Sequence, residues 1–233
     1  PINHLEGHAL SVQINNNVKF PFILLLITGG HTQMYTVKEI GSYNLLGTTI
    51  DDSVGECFDK VAKMLGMPYP GGKHIELKAL NGIKNKYNFP RPLIKNKNLD
   101  FSFSGLKTAM KIEINKHNSL NQKQIENFSA SFQQSIIDIL EKKSELAIEY
   151  AKNKIPGINS FVVAGGVAAN KSIKDSLTLL CKKHKFKIYY PPLSLCGDNA
   201  AMIAWACLKR YKLGYKEDIH FKPRPRWSLN ELK

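Results

Sequence analysis

The chain has 233 residues, enough to bury about 70 to 75% of the surface its unfolded form exposes, in one large core or two modest ones. Lys and Arg outnumber Asp and Glu by 33 to 19, a net charge of +14 that fits a polyanionic partner such as nucleic acid, the plainer reading being a solvated lysine-rich surface. Cys57, Cys181, Cys196 and Cys207 show no CxxC spacing, which argues against a zinc ribbon and a secreted disulfide framework and for a reducing compartment.

The first motif is "NHLEGHAL", residues 3–10. Its pattern predicts a helix over 4–13, and a turn of 3.6 residues then places His4 and His8 on one face, where they can share a metal ion. The alternative is two histidines packed near a helix end. Glu6 lies about 200° around the helix from His4, which makes it a poor general base for an HExxH-type protease.

The longest apolar run, in "FPFILLLITGG" at 20–30, is about eight residues against the roughly 20 of a membrane span, and reads as a buried strand. "FILLLITGG" and "HTQMYTV" form a predicted hairpin whose turn is crowded by Thr28, His31 and Thr32. No signal peptide precedes it, and the first residue is Pro1 rather than Met, which implies sequence upstream.

In "DDSVGECFDKVAKMLGMPYPGG" Val54, Phe58, Val61, Ala62 and Leu65 recur at helical spacing up to Gly66, and "YPGG" at 69–72 reads as a turn. From Lys84 to Lys111 there are seven Lys or Arg against one Asp, interleaved with Tyr87, Phe89, Phe101 and Phe103. That mixture suits gripping phosphates and stacking on bases, or else a mobile basic loop. Residues 121–153 form a long predicted core helix stopped by Pro156 and Gly157.

"SFVVAGGVAANKSI" at 160–173 is a predicted strand, a Gly165-Gly166 turn and a helix, without the GxGxxG or GKS/GKT of the dinucleotide and P-loop motifs. Residues 187–210 read as a strand, a Pro-containing loop and an apolar helix whose first turn contains Asp198 and Asn199. The tail "KPRPRWSLNEL" is expected to pack through Trp227. There is no internal repeat and no linker long enough to separate independent domains. The two Gly-Gly turns, Gly29-Gly30 and Gly165-Gly166, each follow an apolar strand and together suggest a nucleotide cleft.

"NHLEGHAL", "ITGGHTQM", "DDSVGECFDKVAKMLGMPYPGG", "FPRP", "FSFSGLKTA", "VVAGGVAANKSI" and "CGDNAAMIAWA" together resemble the TsaD family, the tRNA N6-adenosine threonylcarbamoyltransferases of the actin-like ATPase superfamily. The resemblance runs nearly from end to end but lacks the family's first hundred residues or so. It implies an α/β actin-like (ASKHA) fold with mixed sheets flanked by helices and an N-terminal lobe largely missing. Residues 1–18 would end the first lobe and carry the metal-ligand helix, 19–195 would be the second lobe with a helical insertion, and 196–233 would carry the metal-ligand Asp and a C-terminal helix returning to the first lobe.

The resemblance further implies a metal site of His4, His8 and Asp198 holding one Fe²⁺ or Zn²⁺. Some relatives add a Tyr ligand where this chain has Leu26, which cannot coordinate. Leu26, Ile27, Thr28, Gly29 and Gly30 would contact the activated substrate, and Asp59, Gly72, Glu76 and Asn170 its nucleotide and ribose. The implied reaction moves threonylcarbamoyl from threonylcarbamoyl-AMP to N6 of adenosine 37 in tRNAs reading ANN codons, releasing AMP. Implied partners, besides tRNA, are the inactive actin-like paralogue (TsaB) and a small P-loop ATPase (TsaE), in the cytoplasm with no membrane. A non-catalytic actin-like binding subunit and an actin-like kinase or ATPase are the competing readings; neither needs a His-x3-His pair.

Overall fold

A computed structural model describes residues 1–216 and 220–232. The long apolar run becomes β1 (Phe22–Ile27), the middle strand of a five-stranded sheet ordered β3-β2-β1-β4-β5. β2 (Thr32–Glu39) and β3 (Ser42–Thr48) extend one side as antiparallel hairpins, while β4 (Ser160–Ala164) and β5 (Lys187–Tyr189) add in parallel on the other. A strand covered on both faces needs an unbroken apolar run, and all six β1 residues are buried.

Successive β1 side chains point to opposite faces, and each face has its own core. Ile23, Leu25 and Ile27 join Phe58, Phe132, Ile136 and Leu140 on one side. Phe22, Leu24 and Leu26 join Leu5, Ala9, Val12, Leu229 and Leu232 on the other. The first core is built from α2 (Val54–Met64), α3 (Gly71–Ala79), α4 (Ser104–Ile114), α5 (Gln122–Lys154) and α6 (Lys171–Lys183). The second is covered by α1 (His4–Ser11) and the tail, where Asn3 Nδ2 donates to Trp227 O at 2.6 Å and Trp227 packs against the cluster as expected. α7 (Ala200–Lys212) lies against α1.

The hairpin pairs Ile27 with Thr32, and the 33-residue α5 begins at a capping box in which Asn121 and Gln124 satisfy each other's backbone N–H. α1 is shorter than expected, ending at Ser11 in a 3-10 turn over Val12–Ile14. "YPGG" is not a free turn: Gly71 and Gly72 open α3, because the Asp59 carboxylate accepts the Gly71 N–H at 2.7 Å and so satisfies one orphan donor of the helix start. Asp198 and Asn199 precede α7 rather than lying in its first turn; Asn199 is the N-cap, accepting the Met202 N–H at 2.8 Å.

The basic stretch at 84–111 is also corrected. Phe89, Phe101 and Phe103 are core residues, and Tyr87 stacks on Phe128 with ring centroids 4.1 Å apart, so none of these rings is offered to a base. Arg91 is bound to Asp138 and Lys107 to Asp52, whereas Lys95 and Lys97 are exposed. The loop beneath them is pinned by buried Lys143, whose Nζ donates to Asn96 O (3.2 Å) and Asn98 O (2.7 Å).

"DDSVG" and "FSFSG" staple each other. Asp51 accepts hydrogen bonds from Ser102 Oγ, Phe103 N, Ser104 N and Ser104 Oγ at 2.6 to 3.2 Å, and Asp52 pairs with Lys60 (3.0 Å) and Lys107 (2.6 Å). Burial pushes both carboxyls up, but the hydrogen bonds to Asp51 and the lysines around Asp52 outweigh it, and both titrate below their ordinary value. Depressed carboxylate values give stabilisation that is complete above about pH 5 and is lost as pH falls below about 4 toward the folded values. Asp52→Asn is therefore expected to melt lower at neutral pH and to show a flatter acid limb than the parent; parallel acid limbs would contradict the staple.

Candidate metal centre and substrate cleft

Asn3 fixes the start of α1 by accepting the N–H groups of Leu5 (2.9 Å) and Glu6 (3.3 Å). His4 and His8 then project from one face, their rings edge to face with centroids 5.0 Å apart. Asp198 approaches from the turn before α7, its Oδ1 3.4 Å from His4 Nε2 and 3.0 Å from His8 Nε2. The three ligand atoms lie within 4.8 Å of one another.

Ligand atoms about 2.1 Å from one ion in tetrahedral array stand about 3.4 Å apart, so two imidazole nitrogens and a carboxylate oxygen at these spacings fit a divalent cation with a position left open. His8 is buried and His4 half exposed. Burial, then the neighbouring His4, pushes His8 below the ordinary imidazole value, which leaves it neutral at pH 7 with a lone pair to give. His8 Nδ1 is buried without a hydrogen-bond partner among the described residues.

A cleft of about 510 Å³ is lined by Gly29, Asp59, Gly72, Glu76, Gly166 and Asn170 among others. It is bridged to the histidines by the Gly29-Gly30-His31 turn. His31 is close enough to His8 to lower its value, and its own value is lowered by burial and by His4. The turn is held by Thr28, whose Oγ1 accepts from Gly30 N (3.1 Å) and His31 N (2.9 Å) and whose N–H donates to His31 O (2.8 Å). The Gly30 N–H is thus already engaged, and Gly29 contributes the donor without a partner among the described residues.

Of the anticipated substrate residues, five line the cleft: Gly29, Asp59, Gly72, Glu76 and Asn170. Asp59 uses one oxygen on Gly71 N and Glu76 one on Lys171 N (2.6 Å), and the second oxygen of each has no partner among the described residues. Asn170 is more committed, capping α6 through Ile173 N (3.0 Å) and donating to Gln133 (2.9 Å). Leu26 and Ile27 are fully buried in opposite cores, each held in the strand ladder, and neither they nor Thr28 and Gly30 are among the residues lining the cleft.

Sequence reasoning missed the cleft residues Tyr69, Lys73 and Val167. It also missed the partner of Glu6, since Arg210 is 204 residues away. Among the described residues no helix is long and apolar enough to cross a membrane.

The model of the family described as tRNA N6-adenosine threonylcarbamoyltransferase, TsaD, matches residues 1–205. The chain belongs to the TsaD family. It is 49% identical over 230 residues to a TsaD-family relative from Pelagibacter ubique and 44% identical over 229 residues to one from Methylocapsa acidiphila, both named tRNA N6-adenosine threonylcarbamoyltransferase. These alignments cover 98% of this chain but only 64% and 65% of the relatives' lengths. The fold is similar to that of full-length HypF, solved in a phosphate- and nucleotide-bound form: TM-score 0.66 at 14% identity over 91% of this chain and 36% of HypF. The TsaD match and this likeness fit an actin-like, ASKHA-type fold.

Proposed function

We propose that this chain carries the transfer site of a tRNA N6-adenosine threonylcarbamoyltransferase, moving threonylcarbamoyl from threonylcarbamoyl-AMP to N6 of adenosine 37. The observation that carries the reading is the junction of a nucleotide-sized cleft with the His4, His8 and Asp198 triad across one glycine turn. Membership of the family supports it.

In this reading the free oxygens of Asp59 and Glu76 take the ribose hydroxyls, Asn170 and Gly72 border the nucleotide, and exposed Lys73 at the cleft supplies a positive charge for the phosphate. His4, His8 and Asp198 would hold one Fe²⁺ or Zn²⁺, whose charge would serve to orient the phosphate or polarise the carbamoyl oxygen. The N6 lone pair attacks the carbamoyl carbon, the bond from that carbon to the phosphate oxygen breaks, AMP leaves and N6 gives up a proton. Because that lone pair is delocalised into the purine, orientation carries much of the rate. Gly29 lines the cleft, and its N–H would serve as a donor for developing negative charge.

α1 and α7 pack together at opposite ends of the sequence. This supports assigning residues 1–18 and 196–233 to a first lobe and 19–195 to the second; residues 217–219 and 233 of that assignment lie outside the described residues. The reading places the protein in the cytoplasm with the actin-like paralogue and the small P-loop ATPase as partners.

The test is nucleoside analysis by mass spectrometry after unmodified tRNA, threonylcarbamoyl-AMP and the protein are incubated with those partners. Threonylcarbamoyladenosine from the parent, lost in Asp198→Ala, supports the reading. No product while both variants bind the adenylate equally would make the chain a non-catalytic binding subunit. Lys95→Glu with Lys97→Glu is expected to weaken tRNA binding and lower the salt slope by about 2, leaving adenylate affinity unchanged. Unchanged tRNA affinity at low salt would remove this loop from the interface.

A further inference from the structure

Glu6 stands between two candidate metal ligands, faces away from both, and is completely buried. A carboxylate in that position demands a partner. Arg210 provides it: Nε lies 2.5 Å from Glu6 Oε2 and Nη2 3.2 Å from Oε1, a two-pronged pair with both residues buried. Tyr43 OH, from β3, donates to Glu6 Oε1 at 3.0 Å, and the Arg210 guanidinium lies over the Tyr215 ring, 4.9 Å from its centroid.

The elements joined by this pair are the two that carry the metal ligands. α1 bears His4 and His8; Asp198 immediately precedes the Asn199 cap of α7, and Arg210 is near the other end of that helix. At 1.5 Å per residue, cap and arginine are about 16 Å apart. Between them the helices come close at Gly7, where a Cβ would stand 3.0 Å from Ile203 Cδ1 and 3.2 Å from Met202 Cγ. Packing at this crossing sets how closely the two helices approach. A second attachment far along α7 fixes its direction, and with it the place of Asp198, whose side chain is 77% exposed and has little else to hold it.

We propose that the Glu6–Arg210 pair is a positioning clamp that sets α7 on α1 and so brings Asp198 into register with His4 and His8. Glu6 and Arg210 touch neither substrate nor ion; they act through the helices. The inference rests on the reading of His4, His8 and Asp198 as a cation site. It gives every residue of "HLEGH" except the buried core position Leu5 a part in that site: two ligands, a clamp and a close approach.

The test is Co²⁺ binding to the protein, followed by visible absorption and by competition with a chromophoric chelator, alongside thermal melting. Arg210→Met alone strands the buried Glu6 charge and threatens the fold, so the principal variant is Glu6→Gln with Arg210→Met, which removes both charges and keeps an acceptor for Tyr43. A core variant distant from α1 and α7, Leu177→Ala, serves as the stability control. The clamp predicts that the double variant melts no lower than Leu177→Ala yet binds Co²⁺ at least tenfold more weakly than the parent with altered absorption bands, whereas Leu177→Ala keeps the parent's affinity and bands. Co²⁺ affinity within twofold of the parent in the double variant overturns the clamp. So does an equal loss in Leu177→Ala, which would make the effect one of stability. Parent protein that binds Co²⁺ no better than Asp198→Ala instead overturns the cation-site reading beneath it.

Discussion

Asp198→Ala is expected to lower divalent-ion affinity by roughly a hundredfold or more while leaving the melting temperature of the metal-free protein nearly unchanged. Loss of a supporting residue around a metal typically costs about 10- to 100-fold, and here one of three protein donors disappears. The fold does not depend on it, because the Asp198 side chain is 77% exposed and Asn199, not Asp198, caps α7. His8→Ala is expected to lose both affinity and stability, since His8 is buried in the α1 face. Chelator competition and calorimetry on the two variants separate ligand from core residue; an Asp198→Ala protein that binds as tightly as the parent would remove the third ligand.

Gly165→Ala is expected to destabilise the fold by about 3 kcal/mol or more, from about 1 to 3 kcal/mol of backbone strain together with overpacking. Gly165 sits at φ 101°, ψ 168°, a region essentially confined to glycine, at the point where β4 turns toward α6. A Cβ there would also run into Ile27 O and come within 2.7 Å of Thr28 Cγ2, at the end of β1 that forms the cleft turn. Its neighbour Gly166 has nothing within 4 Å of an added Cβ and no unusual φ, so Gly166→Ala should change stability by less than about 1 kcal/mol. Urea unfolding of the pair gives the comparison, and equal losses would show that the close packing of the two strand ends does not control this turn.

The sheet was legible wherever burial acted on both faces. β1 is an unbroken apolar run because it lies between two cores, and α5 repeats its large apolar residues Phe128, Phe132, Ile136 and Leu140 toward the core of Ile23, Leu25 and Ile27, although every residue from Glu126 to Gln133 is buried. α3 was hidden because a Pro-Gly-Gly start reads as a turn, and the carboxylate that caps it, Asp59, comes from another helix. The aromatics of 84–111 carried an ambiguous signal: rings interleaved with lysines have the same composition whether they stack on bases or face a core, and here they face the core.

The candidate site divides in the same way. The His4–His8 spacing is local and visible from helical geometry, and the poor placement of Glu6 as a general base follows from the same geometry. Asp198, 190 residues from His8, entered only through resemblance to a family. Arg210 had no local mark at all, because a buried partner is chosen by how α7 crosses α1 and not by its sequence neighbours. The Thr28 hydroxyl that occupies the Gly30 N–H could not be anticipated from a Gly-Gly pair, which specifies freedom of backbone but not where its donors point.

The most direct measurement of the central claim, a metal-centred transfer site, is the transfer assay on protein stripped of metal with a chelator and then titrated with Fe²⁺ or Zn²⁺, in the presence of its partners. The account predicts no threonylcarbamoyladenosine from stripped protein, recovery complete at one equivalent, and no recovery in Asp198→Ala. Product formed at the full rate by the stripped protein would contradict it.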